Sequence, residues 1–212
     1  YMNKIAFGQN VPKDVIDLDN TIEKNIKNLS DFKNKKIEDI TVCLLKRERH
    51  KKIIDSLKNI GAKIKLITDG DVAGALLVSD NKYNVDIFVG IGGGPEGVIS
   101  ATALDTMNCN FQGRFIFETD ESIVRAKKMG IKELNKKYEI NEIVKGDSIF
   151  CATGITNSYI LNGIKKEGDY FHTESFVTHK SQNLVNKIEK KYSSKWHQSM
   201  DLIGKKIIFQ SV

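Results

Sequence analysis

The sequence has no apolar run near the ~20 residues that a membrane-spanning helix needs, and no signal-peptide core follows Tyr1-Met-Asn-Lys-Ile-Ala. It has two prolines, Pro12 and Pro95, and no low-complexity linker or internal repeat, so a repeat array is excluded. One compact unit over residues 1–212 is expected, with the tail from Ser193 to Val212 left without an assignment. Cysteine is scarce: Cys43, Cys109 and Cys151 are an odd number, widely spaced, and none belongs to a Cys-x-x-Cys pair. That excludes a disulfide framework and reads as buried thiols in a reducing cytoplasm. His172, His179 and His197 share no metal-ligand spacing and receive no role.

At 212 residues the chain is long enough for a substantial core in one or two domains. Hydrophobic residues make up 40% and charged residues 28%, the balance of a globular protein. A net charge of +6 raises nucleic acid as a partner. The lysines are scattered, however (Lys33, Lys35, Lys36; Lys51, Lys52; Lys127, Lys128; Lys190, Lys191), and not interleaved with aromatics. They read as solvated helix faces, and no nucleic-acid motif is present. A chain that opens Tyr-Met reads as a fragment of a longer protein.

From residue 38 short apolar runs alternate with amphipathic stretches. Strands are expected at 40–45, 63–67, 85–89 and 114–117, with helices at 49–60, 72–78, 98–107 and 121–129. Gly61 suits a helix C-cap. Helix is also expected at 20–32 and 183–192, a surface turn at 33–36, strand at 148–154 and β-like structure at 168–179. Residues 4–8 suit an edge strand or an entry segment. The order predicts an α/β fold: a layered sheet with parallel βαβ units and helices on both faces.

Ligands of such sheets sit at the carboxyl ends of parallel strands. Three successive ends carry Lys46-Arg-Glu-Arg-His50, Thr68-Asp-Gly-Asp71 and Gly90-Ile-Gly-Gly-Gly-Pro-Glu-Gly97, each just before a helix. They should converge on one rim. The glycines permit positive φ and close approach of an anion to backbone N–H groups. Pro95 fits the first helical turn. Glu96 beside a phosphate site needs a neutralising divalent cation; equally, it serves the helix N-terminus electrostatically. Arg47 and Arg49 suit phosphate through the planar fork of arginine, against an exposed basic helix start as the plainer reading. Asp69 and Asp71 either cap the next helix or accept from sugar hydroxyls. Gly92-Gly-Gly94-Pro-Glu-Gly97 also matches G-x-G-x-x-G, with Glu118 near the distance of a ribose-binding acid, which leaves an NAD(P)-binding Rossmann-type oxidoreductase as an alternative.

Taken in order, Lys-Arg-Glu-Arg-His, Ile-Thr-Asp-Gly-Asp and Gly-Ile-Gly-Gly-Gly-Pro-Glu-Gly-Val resemble the GlpX-like class II fructose-1,6-bisphosphatases. Tyr1-Met-Asn-Lys-Ile-Ala and Ala152-Thr-Gly-Ile-Thr are similar to that family too, so the resemblance spans roughly residues 1–180. It implies an inositol-phosphatase/fructose-bisphosphatase-like fold in the lithium-sensitive, metal-dependent phosphatase superfamily. It also implies metal-activated hydrolysis of fructose 1,6-bisphosphate to fructose 6-phosphate in gluconeogenesis, with Mg²⁺ or Mn²⁺, in a cytoplasmic homo-oligomer (dimer or tetramer). By position, Tyr1, Arg47, Glu48, Arg49, Asp69, Gly70, Asp71 and Gly93 would contact the sugar phosphate, and Glu96 would ligate metal. Glu48 stands where the family has proline, and Gly94 where alanine is common. The family's other metal carboxylates lie upstream, in a motif resembling Asp-Pro-hydrophobic-Asp-Gly-Thr that is not present here. The implied role is the carboxyl-terminal, sugar-phosphate-binding portion of a longer phosphatase, inactive alone; a non-catalytic oligomerisation module is the third reading.

Overall fold

The structure is a computed structural model in which residues 1–193 are described. The chain opens with β1 (Met2–Phe7) and α1 (Ile22–Lys33). A βαβαβ run follows: β2 (Thr41–Leu45), α2 (Lys51–Asn59), β3 (Lys63–Ile67), α3 (Asp71–Leu76) and β4 (Ile87–Gly92). Then come α4 (Gly94–Thr106), β5 (Asn110–Phe115), α5 (Asp120–Lys128), β6 (Lys137–Glu139) and α6 (Ile140–Ile143). The described chain closes with β7 (Ile149–Thr153), β8 (Lys165–Glu167), β9 (Tyr170–His179) and β10 (Leu184–Ser193).

The architecture is α/β, as the alternating pattern implies. Local chemistry sets the helix ends. Thr21 caps α1 by accepting from the Lys24 N–H (3.3 Å), and Asn34 stops it in the left-handed region at φ 50°. Gly61 (φ 80°) closes α2, with its N–H on the Lys58 carbonyl and the Ala62 N–H on that of Leu57, a Schellman pair.

Six strands form one mixed sheet in the order β3-β2-β4-β1-β5-β6. β2 lies parallel to both β3 and β4, and β1 antiparallel to both β4 and β5. Two parallel βαβ units are therefore present, but β1 is no edge strand: it is a central one, and the expectation for residues 4–8 is corrected. A lysine in an apolar run is ordinarily at home on a solvent-facing edge. Here the side chain is fully buried and ion-paired with Asp71, so the strand is covered on both faces.

On one face Ile5, Phe7, Val42, Leu44, Ile87 and Val89 pack with Ile26 and Leu29 of α1 and Leu57 of α2. Each such fully buried side chain contributes ~1.5–3 kcal/mol. α3 and α4 cover the other face, where Gly74 lies against Phe88 and Gly97 against Met2. Cys43 and Cys109 are buried, and burial pushes their thiols up to about 12 and about 11. Cys151 is exposed, unlike the expectation, because strand alternation places it opposite the buried Phe150.

The chain splits into two compact units where one was expected. Among the described residues the first is Tyr1–Phe150 with Thr178–Val185, and the second is Cys151–Val177 with residues 186–193. Residues 151–177 close on themselves: the Gly154 N–H donates to the Glu174 carbonyl (2.9 Å), the Asn162 N–H to the Glu174 carboxylate (2.8 Å), and Thr153 pairs with Ser175 (2.8 Å). β7, β9 and β10 form a second sheet, with β8 on β9. The helix expected at 183–192 is the strand β10. Leu184, Ile188 and Tyr192 recur every four residues, which one face of a helix and one face of a strand both satisfy. The turn decides: Asn183 (φ 48°) donates its N–H to the Lys180 carbonyl, and Lys187 meets Glu174 of β9 at 2.6 Å. Beyond Ser193, the tail, including His197, lies outside the described residues.

The β9–β10 turn carries a pH-dependent latch. Asp147 Oδ2 is 2.7 Å from His179 Nε2 and accepts from the Ser181 hydroxyl (2.7 Å), while Asp147 Oδ1 accepts from the Ser181 N–H (3.0 Å). Ser181 and Asp147 meet the same ring nitrogen, so no serine–histidine–aspartate relay exists. The bonds from Ser181 and His179 hold the Asp147 carboxyl down to about 2, and Asp147 raises His179. The histidine contribution is complete below its unfolded pKa of ~6.5 and is lost as pH rises through the raised folded value. The aspartate contribution is present above ~4 and fades only towards 2. Protection of the Ser181 amide from hydrogen exchange, corrected for intrinsic rate, should therefore fall as pH rises through the raised value of His179. The fall should vanish in His179→Gln, and a fall that persisted there would disprove the latch.

Candidate active site

The carboxyl ends of β2, β3 and β4 lie on one rim because the three strands are parallel. β1 runs against them, with Met2 opposite Gly92, so its first residue joins the same rim. Tyr1, Arg47, Arg49, Asp69, Asp71, Gly93 and Glu96 thereby line one open cleft of about 470 Å³, together with Leu45, Gly92, Gly94 and Pro95. Convergence of the three segments, expected from their order alone, is what the structure shows.

Main-chain carbonyls aim the arginines. Arg47 Nη1 donates to the Thr68 carbonyl (2.7 Å), and Nη2 lies 3.5 Å from Asp69 Oδ1. Arg49 Nε donates to the Ile91 carbonyl (2.7 Å), and its guanidinium stands 5.4 Å from the centre of the Tyr1 ring. The terminal nitrogens of Arg49 take no further hydrogen bond among the described residues. They remain a fork for an anion.

The glycine segment works differently from the expectation. Gly90–Gly92 belong to β4, Gly93 is the N-cap of α4, and Gly94 and Pro95 begin that helix. None of these glycines has positive φ. They are needed for space. A methyl group at Gly92 would lie 2.6 Å from Asp71 Oδ2 and 3.1 Å from Lys4 Nζ, and one at Gly97 would lie 2.5 Å from Met2 Sδ. At Gly93 it would come within 1.9 Å of Glu96 Oε2, so the Glu96 carboxylate folds back over the turn.

Two site residues are not brought into the cleft. The Glu48 side chain is 91% exposed, 3.9 Å from Lys51, and does not line the cavity. Gly70 does not line it either. Its φ of 88° and its carbonyl, which accepts the Gly74 N–H (2.7 Å), show a backbone role in starting α3 between Asp69 and Asp71. Two others had no role assigned from the sequence. Lys4, fully buried, bonds Asp71 Oδ2 under the turn. His50, also buried, accepts the Ile91 N–H at Nε2 (2.8 Å), so its Nδ1–H donates to the Leu45 carbonyl (2.7 Å) and ties β2 to β4. A lysine inside an apolar strand was the available signal for the first; His50 offered none beyond its place after the arginines.

The dinucleotide alternative fails on topology. A Rossmann unit needs the strand after the glycine helix beside the one before it, whereas β1 separates β4 from β5 and runs antiparallel to both. Glu118 merely precedes Thr119, the N-cap of α5.

Residues 1–192 match the family model described as bacterial fructose-1,6-bisphosphatase, glpX-encoded. The chain belongs to this family. It is similar to the class 2 fructose-1,6-bisphosphatase of Haemophilus influenzae, with 35% identity over 203 residues covering 89% of this chain and 60% of that protein. It is also similar to the class 2 D-fructose 1,6-bisphosphatase/sedoheptulose 1,7-bisphosphatase of Prochlorococcus marinus strain AS9601, with 36% identity over 191 residues covering 84% and 57%. The chain thus spans 60% or less of the length of these relatives.

Class II membership implies a divalent metal. The residues in hand do not make its site: among the described residues no group of three or more His, Cys, Asp or Glu is placed to hold an ion. Of the cleft carboxylates, Asp71 is bound to Lys4 and Asp69 faces Arg47. The Glu96 carboxylate has no cationic partner or hydrogen bond among the described residues, while its main-chain carbonyl accepts from the Ser100 hydroxyl (2.7 Å). It is one donor without the rest of a cage.

Proposed function

We propose that this chain is the sugar-phosphate-binding portion of a fructose-1,6-bisphosphate 1-phosphatase that forms fructose 6-phosphate and phosphate. The observation that carries the reading is the single cleft that gathers Tyr1, Arg47, Arg49, Asp69, Asp71, Gly93 and Glu96. In it the forked N–H groups of Arg47 and Arg49 take phosphate oxygens, and Asp69 and Asp71 accept from sugar hydroxyls. Glu96, at the first turn of α4, supplies one carboxylate towards Mg²⁺ or Mn²⁺, whose other ligands come from residues outside these 212. A divalent cation held there would supply Lewis-acid activation of a water and charge neutralisation at the leaving oxygen. The protein so assembled is taken as a cytoplasmic homo-oligomer of gluconeogenesis.

The test is a titration of the 212-residue protein with fructose 6-phosphate and, separately, NAD. Binding of the sugar phosphate and none of the dinucleotide is expected. Fructose 1,6-bisphosphate with Mg²⁺ or Mn²⁺ should release no phosphate. Turnover by this chain would overturn the incomplete-site reading, and failure to bind fructose 6-phosphate would overturn the pocket.

A further inference from the structure

A buried lysine facing a ligand cleft needs a reason, because an ammonium removed from water is costly unless paired and hydrogen-bonded. Lys4 is fully buried in a central strand, and its partner is Asp71 Oδ2. The pair sits beneath the turn into α4. Its atoms fill the space a side chain at Gly92 would take, and Lys4 Cε lies 3.2 Å from where a methyl at Gly97 would stand. The carboxylate is only half satisfied: Asp71 Oδ1 is buried with no hydrogen-bond partner among the described residues. A buried carboxylate oxygen without a donor marks an incomplete arrangement. Asp71 lines the cleft, so the cleft is the route by which a donor arrives.

The geometry points to Lys4 as a positioning residue of the cleft. Its ammonium anchors one oxygen of Asp71 and braces the Gly92–Gly97 turn, which leaves the second oxygen to take a hydroxyl donor from the bound sugar phosphate. Lys4 itself touches no ligand. The ligand in this inference rests on the function proposed above; the bracing of the turn does not.

Lys4→Met in the 212-residue protein separates the two. Amide exchange at Gly92–Gly97 should speed up by about tenfold or more, with none of that rise in α2 around Leu57. Fructose 6-phosphate should bind about tenfold more weakly, while orthophosphate, which has no sugar hydroxyl, should change by less than about twofold. Unchanged exchange at the turn, or an equal rise throughout the chain, overturns the bracing. An equal loss of orthophosphate affinity overturns it as well, since Lys4 would then be an anion ligand. Should Lys4→Met fail to fold, the double variant Lys4→Met/Asp71→Asn removes both partners and no buried charge remains. It should bind fructose 6-phosphate no more weakly than Asp71→Asn alone, and a further additive loss is the contrary result. If the unsubstituted protein binds no fructose 6-phosphate, the proposed function falls, and the exchange data still decide the role of Lys4.

Discussion

Glu96→Gln, made in a protein that carries the complete metal site, should lower metal-dependent phosphate release from fructose 1,6-bisphosphate by ~100-fold or more. Loss of an outer-shell partner alone costs ~10–100-fold in affinity or activity at metal sites, and a direct ligand should exceed that. The substitution keeps size and shape and removes only the charge. Stability should change little, because Glu96 is exposed, its carboxylate bonds nothing among the described residues, and the bond its main-chain carbonyl takes from Ser100 is untouched by the exchange. The remaining stabilising role is its place in the first turn of α4, worth ~0.3–1 kcal/mol by the helix dipole. The two readings of Glu96 open at the level of sequence thus diverge by orders of magnitude in rate. If it only serves the helix, the melting temperature drops slightly and turnover is kept; if it holds metal, turnover collapses and excess metal restores part of it. A non-catalytic module would show neither rate effect. Phosphate release over a metal titration, beside a thermal melt, distinguishes all three.

Much of this site was legible because the physics linking sequence to it is local. Lys63–Ile67 reads as a strand from its alternation and the segment ending at Leu45 from its apolar run, and parallel strands bring their carboxyl ends to one edge without further information. What escaped is non-local. Lys4 looks like a surface residue until Asp71, 67 positions away, neutralises it, and only then does β1 become a central strand. That placement in turn brings Tyr1 to the cleft that Gly93 lines, which no spacing in the sequence implies. The glycines were expected to serve positive φ and instead make room, because the atoms that crowd Gly92 and Gly97 come from β1 and α3. At β10, residues recurring every four positions satisfied two periods, and only the turn at Asn183 and the pairing with β9 separated them. Glu48 shows the limit of carrying a motif across by position: its backbone belongs to the arginine segment, while its side chain points to solvent.

That contrast within one segment sets up a comparison in which the fold is held constant. Arg49→Lys should weaken fructose 6-phosphate binding by ~10–100-fold, the range for charge-assisted hydrogen bonds of ~1.5–3 kcal/mol. Glu48→Ala should leave it within about twofold, as for an exposed side chain away from the site. Both residues are exposed and follow the end of β2, so neither exchange should move the unfolding midpoint appreciably. Lysine keeps the charge of Arg49 but not its shape. An ammonium cannot at once donate to the Ile91 carbonyl as Nε does, stack on Tyr1 and present a two-pronged fork to phosphate. A loss limited to about twofold in Arg49→Lys would mean that only net charge matters there, and the fork would have no part in recognition. Equal losses in both variants would return the whole segment to the status of an exposed basic helix start. Isothermal titration of the two variants beside the unsubstituted protein, at two salt concentrations, makes the distinction. A pure charge effect is screened by salt, whereas the geometric part of the arginine contribution is expected to persist.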